Sequence, residues 1–213
     1  MRGPSKPKIN ARKRPLQARS RELVEDILEA AIRVLKRQGA QRFTTVRVAE
    51  EAGVSVGSLY QYFPNKEALL YRLQRDEWSE TLGVLDEILG DERAPPFARF
   101  RRMVLTFFRS EHQEAALRVA LDDAGALFRD TPEARAHLER ARARIASFLD
   151  EALPGASKRD KTFAADFVMT SLSSIAEAVT AQGRTRLEVD AWAKTLADML
   201  CSYFASLDPS ARG

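Results

Sequence analysis

Cysteine is almost absent from this sequence of 213 residues, and long apolar runs are absent altogether. Cys201 has no partner for an internal disulfide or a cysteine-based metal cluster, and we expect it to be a buried core residue in a reducing compartment. The most apolar late stretch, residues 163–179, is interrupted by Asp166 and Glu177, so it does not predict a membrane-spanning helix. Residues 1–20 lack the apolar centre of a signal peptide, and we therefore expect a cytoplasmic protein.

Alternation of apolar and polar residues with β-branched side chains, the pattern of strands, is also missing. Apolar residues instead recur at helical spacing along most of the chain. The fold class is therefore predicted to be all-α, with about nine helices in two domains. Histidine is scarce as well. With only His112 and His137, and no acidic cluster at metal-ligand spacing, the sequence favours neither an enzyme nor a metal site.

The net charge of +4 hides an asymmetry between the two parts of the chain. Residues 1–75 hold 16 lysines and arginines against 7 acidic residues, a balance of +9, whereas residues 76–213 have a balance of −5. A basic front third is typical of a region that faces a polyanion such as DNA. Residues 1–18 are rich in proline and basic side chains. They predict a disordered arm that either binds along DNA or only aids solubility.

One stretch in this basic region predicts two short helices joined by a tight turn. Thr44 is a suitable N-cap for the first helix, and Gly53 can adopt the left-handed conformation that ends it. Ser55 caps the second helix, which Pro64 and Asn65 end before a third helix begins at Lys66. The residues of the second helix predicted to point inward are Leu59 and Phe63. This order of elements is that of a helix-turn-helix, whose second helix can lie in the major groove of DNA.

The residue order is more specific than this general pattern. Residues 49–70, AEEAGVSVGSLYQYFPNKEALL, resemble the DNA-binding domain of the TetR family of transcription regulators, especially in the AGVS turn and the LYQYF helix. The resemblance is strong over about residues 20 to 75 and weak beyond them. It implies an N-terminal three-helix DNA-binding domain and a C-terminal helical bundle for ligand binding and dimerisation. The implied function is repression: a homodimer binds a palindromic operator on double-stranded DNA until a small organic effector releases it.

The predicted DNA-facing side chains of the second helix are small, amidic or phenolic, which permits close approach to the groove floor. The resemblance implies phosphate contacts by Thr44 and Thr45 at the start of the first helix and by Lys66. It also implies groove contacts by Val56, Gly57 and Ser58, and backbone and base contacts by Tyr60 and Tyr62. Arg47 either replaces a basic residue that some members have at Val46 or only meets phosphate, and Gln61 either pairs with adenine or faces the backbone. The predicted DNA-binding residues are Thr44, Thr45, Arg47, Ser55, Val56, Gly57, Ser58, Tyr60, Gln61, Tyr62 and Lys66.

The chain is predicted to comprise a basic arm (1–18), the helix-turn-helix domain (19–66), a connecting helix (67–90), an effector-binding and dimerisation domain (91–207) and a tail (208–213). The connecting helix reaches both domains, so it is the expected lever between effector and DNA. Helices are expected over residues 20–38, 66–89, 97–109, 114–128 and 131–153, followed by two more with capping patterns at Ser157–Asp160 and Thr185–Glu188.

Two sets of residues in the last domain are candidates for the remaining functions. The last two helices are apolar on more than one face, which favours either a central hairpin or a four-helix dimer interface, and the resemblance favours the dimer. The predicted dimer residues are Phe163, Phe167, Ile175, Trp192, Leu196, Met199 and Tyr203. The candidate effector residues, which could equally be plain core, are Phe100, Met103, Phe107, Phe128, Phe167 and Ser171. No cofactor other than the effector and no membrane partner is expected.

Two alternatives stay open on the sequence alone. Residues 53–57 match G-x-S-x-G, the nucleophile elbow of hydrolases, and Asp122 and His137 follow in hydrolase order. The elbow needs a preceding strand, whereas the residues before Ser55 have a helical pattern. The second alternative is an architectural DNA-binding protein that uses its basic arm without choosing a sequence.

Overall fold

The computed structural model describes residues 18–115 and 131–208, and every regular element in these residues is helical. The all-α prediction is therefore confirmed. The eight described α-helices are α1 (Ala18–Gln38), α2 (Thr45–Glu51), α3 (Val56–Tyr62), α4 (Lys66–Leu89), α5 (Pro96–Gln113), α6 (Pro132–Ala152), α7 (Lys158–Ala181) and α8 (Arg186–Leu207). The basic arm, the helix predicted over residues 114–128 and the tail lie almost entirely outside the described residues. Within the described ranges, no helix combines the length and apolarity that crossing a membrane requires.

Capping bonds set the starts of the helices in the N-terminal region. The hydroxyl of Thr44 accepts a hydrogen bond from the backbone N–H three residues on, at 3.3 Å, and Ser55 does the same at 3.0 Å. At the start of α4, Oδ1 of Asn65 accepts the equivalent bond at 2.8 Å. Gly39 and Gly53, with φ of +72° and +66°, take the left-handed conformation after α1 and α2. These caps and stops confirm the sequence prediction.

The same kind of cap starts three helices of the C-terminal region. Oγ1 of Thr131 accepts from the backbone N–H three residues on, at 3.1 Å, and the hydroxyl of Ser157 accepts its equivalent, also at 3.1 Å. Thr185 and Glu188 form a reciprocal capping box, in which the Thr185 N–H donates to the Glu188 carboxylate at 2.8 Å. Because this N–H stabilises the ionised carboxylate, the pKa of Glu188 is lowered. The predicted starts of α6, α7 and α8 are confirmed.

The described residues divide into two compact units, of which the first comprises residues 18–78 and 131–134. In its described part, α1, α2, α3 and the first half of α4 share one apolar core. The largest fully buried side chains of this core are Ile27, Leu59, Phe63, Leu69 and Tyr71. Glu51 at the end of α2 pairs with Arg33 and Arg37 of α1, and the bond from Arg33 is the main reason that the pKa of Glu51 is lowered.

The second unit comprises residues 79–115 and 135–208 and is organised around α5 and α8. Two ion pairs join these helices: Arg109 donates to Asp190 at 2.8 and 2.7 Å, and Arg101 donates to Asp198 at 2.7 Å. The residue numbers of the pairs run in opposite directions, so the two helices are antiparallel. Phenylalanines from α5, α6 and α8 meet inside, and the ring centroid of Phe100 is 5.0 Å from that of Phe204. This packing gives the bundle its core.

Three arginines bind the last carbonyl groups of α4. The buried Arg99 of α5 donates to the carbonyl of Leu89 at 2.6 Å and pairs with Glu151 of α6. Arg102 of α5 and Arg144 of α6 donate to two further carbonyls of the same turn, at 3.4 and 3.3 Å. The free carbonyls of a helix end carry partial negative charge, so cations stabilise them. The C-terminal end of α4 is thereby held by the α5–α6 part of the bundle.

The inward faces of α7 and α8 are lined mainly by small and medium-sized apolar residues. Phe163, Phe167, Trp192 and Met199, four of the predicted dimer residues, are exposed and lie outside this packing. The buried residues are Ala164, Ala165, Val168, Leu172, Ala176 and Val179 on α7, and Val189, Ala193, Leu196, Ala197, Leu200, Cys201 and Phe204 on α8. Small alanines let helices pack closely, so the larger side chains lie outside. Cys201 is buried as predicted, and burial raises its pKa to about 11.

Two single positions, Gly83 inside α4 and Asp208 at the end of α8, differ in their surroundings. Gly83 inside α4 is exposed, and a Cβ added there would meet nothing within 4 Å, so close packing does not explain this glycine. Asp208, predicted to start the tail, is buried, and its carboxylate accepts a hydrogen bond from the Gly155 N–H at 2.5 Å. Residue 208 therefore belongs to the folded bundle.

Candidate nucleic-acid interface

A tight turn at residues 52–55 fixes α3 against α2. The N–H of Gly53 donates to the carbonyl of Glu50 at 3.1 Å, and the N–H of Val54 donates to that of Ala49 at 3.0 Å. These bonds close the end of α2 and reverse the chain, and α3 begins two residues later. One side of α3 packs into the core of the first unit, and the other side is presented to solvent.

The solvent side of α3 is uncharged, and its first turn carries small residues. Gly57, Tyr60 and Gln61 are exposed, and Ser58 is half-buried with its hydroxyl 2.8 Å from that of Ser55. Thr44 at the start of α2 is also exposed. We call Thr44, Gly57, Ser58, Tyr60 and Gln61 the α2–α3 surface. Hydroxyl and amide groups on a helix with little side-chain bulk can meet the base edges of a major groove.

Two residues predicted to face DNA belong to the packed side of α3. Tyr62 is only 6% exposed, so the prediction that it faces DNA is wrong. Its position explains the burial, because it lies three residues after Leu59 and next to Phe63, and all three share the inward face. Val56 is half-buried and packs against the same core.

The two threonines at the start of α2 have different surroundings. Thr44 is exposed, and its hydroxyl serves as the N-cap. Thr45 is 7% exposed, and its Oγ1 lies 3.1 Å from the hydroxyl of Tyr60. A side chain this deeply buried offers too little surface for the direct phosphate contact that was expected of Thr45.

Cationic candidates flank the α2–α3 surface. Nη1 of Arg47 donates to the carbonyl of Arg42 at 2.9 Å, and its side chain is exposed beside the exposed Val46. Lys66 is exposed at the first residue of α4. A cation at this position opposes the positive end of the helix dipole, so it does not serve helix stability. Both cations can reach an anionic partner.

The G-x-S-x-G match lies in a helical context. Ser55 follows a helix and a turn, and its hydroxyl is used as an N-cap. The strand that a nucleophile elbow requires before its serine is replaced by α2. Of the proposed partners, Asp122 lies outside the described residues, and His137 is half-buried in α6, where burial lowers its pKa.

The candidate effector residues do not share one environment. Phe100 and Met103 are fully buried in the packed core of the second unit, whereas Phe107 and Ser171 are half-buried. Phe128 lies outside the described residues. The structure therefore brings the first two together inside the bundle and leaves the pocket itself a prediction.

Four of the predicted dimer residues are exposed on α7 and α8, and a fifth, Tyr203, is half-buried beside them. Phe163 and Phe167 are 61% and 46% exposed, and their rings stack with centroids 6.1 Å apart. The Phe167 ring also meets Tyr203 of α8 at 5.9 Å, and Met199 is 64% exposed. We call Phe163, Phe167, Trp192, Met199 and Tyr203 the aromatic face. The interior position predicted for Phe167 as an effector residue is therefore wrong. Of the other predicted members, Leu196 is buried and Ile175 is half-buried.

Sequence reasoning missed the arginines that bind the end of α4. Arg99 is the informative one, because it lies one residue before Phe100 and four before Met103, on the apolar side of α5. A cation on an apolar stripe is a signal for a buried hydrogen-bonding role. Its partners lie 10 and 52 residues away, so local pattern could not identify them.

Two family models match this chain. The model for "Bacterial regulatory proteins, tetR family" covers residues 27–73, which include α2 and α3. The model for "Tetracyclin repressor-like, C-terminal domain" covers residues 95–207, slightly more than half of the chain. The matches therefore extend from the helix-turn-helix through the bundle.

Curated relatives and solved structures agree with these models. The chain is 33% identical over 82 residues to an HTH-type transcriptional regulator of Haemophilus influenzae, and 36% identical over 107 residues to the nucleoid occlusion factor SlmA of Vibrio atlanticus. It spans only 43% and 55% of these relatives' own lengths, and the alignments cover 38% and 41% of this chain.

Two solved structures share the fold at low identity. A putative TetR-family regulator from Mesorhizobium loti matches with a TM-score of 0.69 at 17% identity, over 88% of this chain and 98% of that one. The regulator FadR from Bacillus subtilis, solved in complex with stearoyl-CoA, matches with a TM-score of 0.62 at 17% identity, over 83% and 96% of the two chains. These similarities show the fold alone.

Proposed function

This chain belongs to the TetR family of bacterial regulatory proteins and is a DNA-binding transcriptional regulator, and from this premise we propose that it is a repressor released from a palindromic operator by a small organic effector. Members of the family bind DNA and small molecules, usually as dimers. The observation that carries the proposal is the α2–α3 surface, a helix-turn-helix face with small uncharged side chains. Because its target is DNA, we place the protein in the cytoplasm.

In this proposal, α3 enters the major groove. Gly57 and Ser58 allow the helix to approach the groove floor, where the Ser58 hydroxyl bonds a base edge and Gln61 bonds an adenine or the backbone. Lys66 and Arg47 bind phosphates and supply affinity that is independent of sequence. Discrimination therefore comes from the uncharged residues that approach the base edges, Ser58 and Gln61, and attraction comes from the charges around them.

The partner for the aromatic face is a second copy of the chain. Exposed aromatic and methionine side chains are costly in water, at roughly 25 cal/mol for each Å² of apolar surface. Pairing of two such faces would bury them around a two-fold axis. The dimer would present its two reading helices to successive major grooves ~34 Å apart, and so would require an operator with inverted-repeat symmetry.

Release by an effector follows from thermodynamic linkage. A ligand that binds more tightly to the conformation with poorly spaced reading helices must lower DNA affinity by the same factor. The proposed route is α4, because it starts at Lys66 beside the α2–α3 surface, and its last carbonyls are held by Arg99, Arg102 and Arg144. The proposed effector is largely apolar, because Phe100, Met103 and Phe107 supply apolar walls. No other cofactor is proposed.

The experiment that tests this function is selection of binding sites from random double-stranded DNA by the purified full-length protein. A repressor enriches one inverted repeat and binds it far more tightly than a scrambled duplex. An architectural protein would enrich no sequence, and its affinity for every duplex would fall steeply with salt. Enrichment of a single unrepeated half-site would contradict the dimeric operator while leaving sequence-specific binding in place.

A further inference from the structure

Tyr60 has the largest side chain on the α2–α3 surface, and its hydroxyl is tied to the neighbouring helix. The phenol oxygen lies 3.1 Å from Oγ1 of Thr45, the first residue of α2. The Tyr60 side chain is 38% exposed, whereas Thr45 is 7% exposed. The hydrogen bond therefore joins the exposed face of α3 to a buried hydroxyl of α2.

Burial decides which of the two oxygens donates. In the part of the chain that the structure describes, the Oγ1 of Thr45 has no hydrogen-bond partner other than Tyr60. A buried hydroxyl that does not donate loses the bond it made with water, whereas an exposed phenol can always donate to solvent. The favoured arrangement has Thr45 donating and the Tyr60 oxygen accepting. The phenol hydrogen is then free for an acceptor outside the protein.

The hydrogen bond to Thr45 of α2 also indicates which group on DNA accepts the phenol hydrogen. In a helix-turn-helix complex the second helix lies in the groove, and the first helix crosses the sugar-phosphate backbone. A ring held toward α2 is directed to the backbone side and away from the groove floor. Phosphate oxygens accept hydrogen bonds from tyrosine hydroxyls without regard to the base sequence.

We propose that Thr45 is a positioning residue that acts on DNA through Tyr60, by holding the phenol so that it donates a hydrogen bond to a phosphate oxygen. The inference rests on the proposed function and deepens it. It also changes the role of Thr45 from a direct contact, which the family resemblance implies, to an indirect one. A backbone contact by Tyr60 is what the family resemblance implies, and the new element is that Thr45 sets the direction of its phenol hydrogen.

The test is a set of four variants measured against two duplexes, the sequence that the wild-type protein selects and a scrambled duplex of equal length. Thr45→Val keeps the size and branching of the side chain and removes the donor. Thr45→Ser keeps the donor and removes the methyl group. Tyr60→Phe removes the phenol oxygen, and Thr45→Val combined with Tyr60→Phe shows whether the two residues act together.

We expect Tyr60→Phe to weaken binding to both duplexes by about 10- to 30-fold, since a dimer loses two neutral hydrogen bonds. Thr45→Val should weaken binding by about threefold or more, and Thr45→Ser should restore most of that loss. The double variant should bind no more weakly than Tyr60→Phe alone, because Thr45 acts only through the phenol. Thermal melting of each free variant checks that the fold is intact.

Salt dependence separates this role from a charge contact. The slope of log affinity against log salt concentration should stay at the wild-type value in Tyr60→Phe, and should fall in Lys66→Ala. The inference is overturned if folded Thr45→Val binds both duplexes like wild type, or if the effects of Thr45→Val and Tyr60→Phe simply add. It is also overturned if Thr45→Ser binds as weakly as Thr45→Val, because packing would then explain the loss. Wild-type protein that binds neither duplex would contradict the proposed function first.

Discussion

The α2–α3 surface and the aromatic face are both exposed, yet their chemistry is opposite. The first consists of a glycine, hydroxyl groups and an amide, with cations beside it. The second consists of stacked phenylalanines, a tryptophan, a tyrosine and a methionine. Neither surface contributes much to the core of its own unit. Their exposure is explained by what each surface meets rather than by the fold.

The difference between the two surfaces is one of hydration. A groove contact keeps water and ions around it and gains specificity from a few placed hydrogen bonds. A dimer contact excludes water and gains affinity from area and shape. Small side chains suit the first task because they allow close approach, and large apolar ones suit the second because they fill space. Added side-chain bulk should therefore weaken DNA binding at the α2–α3 surface, whereas loss of apolar surface should weaken dimerisation at the aromatic face.

The largest expected effect is on the aromatic face. Phe167→Glu combined with Met199→Glu would place four carboxylates in a dimer interface, so the dimer dissociation constant should rise by about 100-fold or more. Sedimentation velocity at micromolar concentration measures this as a shift from dimer to monomer. Leu138→Glu is the control, because Leu138 is 53% exposed on α6 and outside the aromatic face. A monomeric wild-type protein, or a dimeric double variant, would contradict the assignment.

The next largest effect is expected for alanine substitutions at Gly57 and Gly83, which distinguish a change in stability from a change in DNA binding. A Cβ on Gly57 would meet only the Ser55 hydroxyl at 3.7 Å, and one on Gly83 would meet nothing within 4 Å. Both lie in helices, so alanine at either position should raise the free energy of unfolding by about 0.5–1 kcal/mol. Gly57→Ala should also bind the selected duplex about tenfold more weakly, because its methyl group holds α3 away from the groove floor.

Gly83→Ala should gain stability and keep wild-type DNA affinity. Chemical denaturation and equilibrium binding on the same preparations measure both quantities. Unchanged binding by Gly57→Ala would mean that Gly57 does not approach the groove. Weaker binding by Gly83→Ala would show instead that the helix α4 itself, and not the reading surface, responds to the substitution.

The smallest expected effect concerns the alkylation rate of Cys201, which lies two residues from Met199 on α8 but faces the opposite way. Met199 is exposed, whereas Cys201 is 2% exposed and burial raises its thiol pKa to about 11. The thiolate is the reactive form, so the folded protein should react with iodoacetamide at pH 8 at a few per cent of the unfolded rate or less. This protection should persist in the Phe167→Glu and Met199→Glu double variant. Rapid alkylation there would mean that the substitutions open the bundle rather than the dimer.

The two surfaces also differ in how far the sequence predicts them. Thr44, Ser55 and Asn65 form caps within three residues of themselves, so their roles follow from local order alone. The same locality makes Gly53 predictable. The direction of Tyr62 was missed, although the three-residue spacing from Leu59 contains the signal.

The bundle is less predictable because α7 carries apolar residues on more than one face. Periodicity identifies a stripe, but the choice of face depends on helices distant in sequence. Here the close packing of Ala164 and Ala165 against the core places Phe163 and Phe167 outside. The hydrogen bond from Arg99 to the carbonyl of Leu89 could not be predicted from local pattern either, because its donor and acceptor come from different helices.

The most direct test of the account is a hydroxyl-radical footprint on the selected duplex with wild-type protein and the Phe167→Glu, Met199→Glu double variant. A dimer with two reading helices should give two symmetric protected patches about 10 base pairs apart for the wild type. The double variant should protect these patches only at a much higher concentration. One protected patch for the wild type, or an unchanged footprint for the variant, would contradict the claim that one surface reads DNA and the other pairs two copies to make the reading specific.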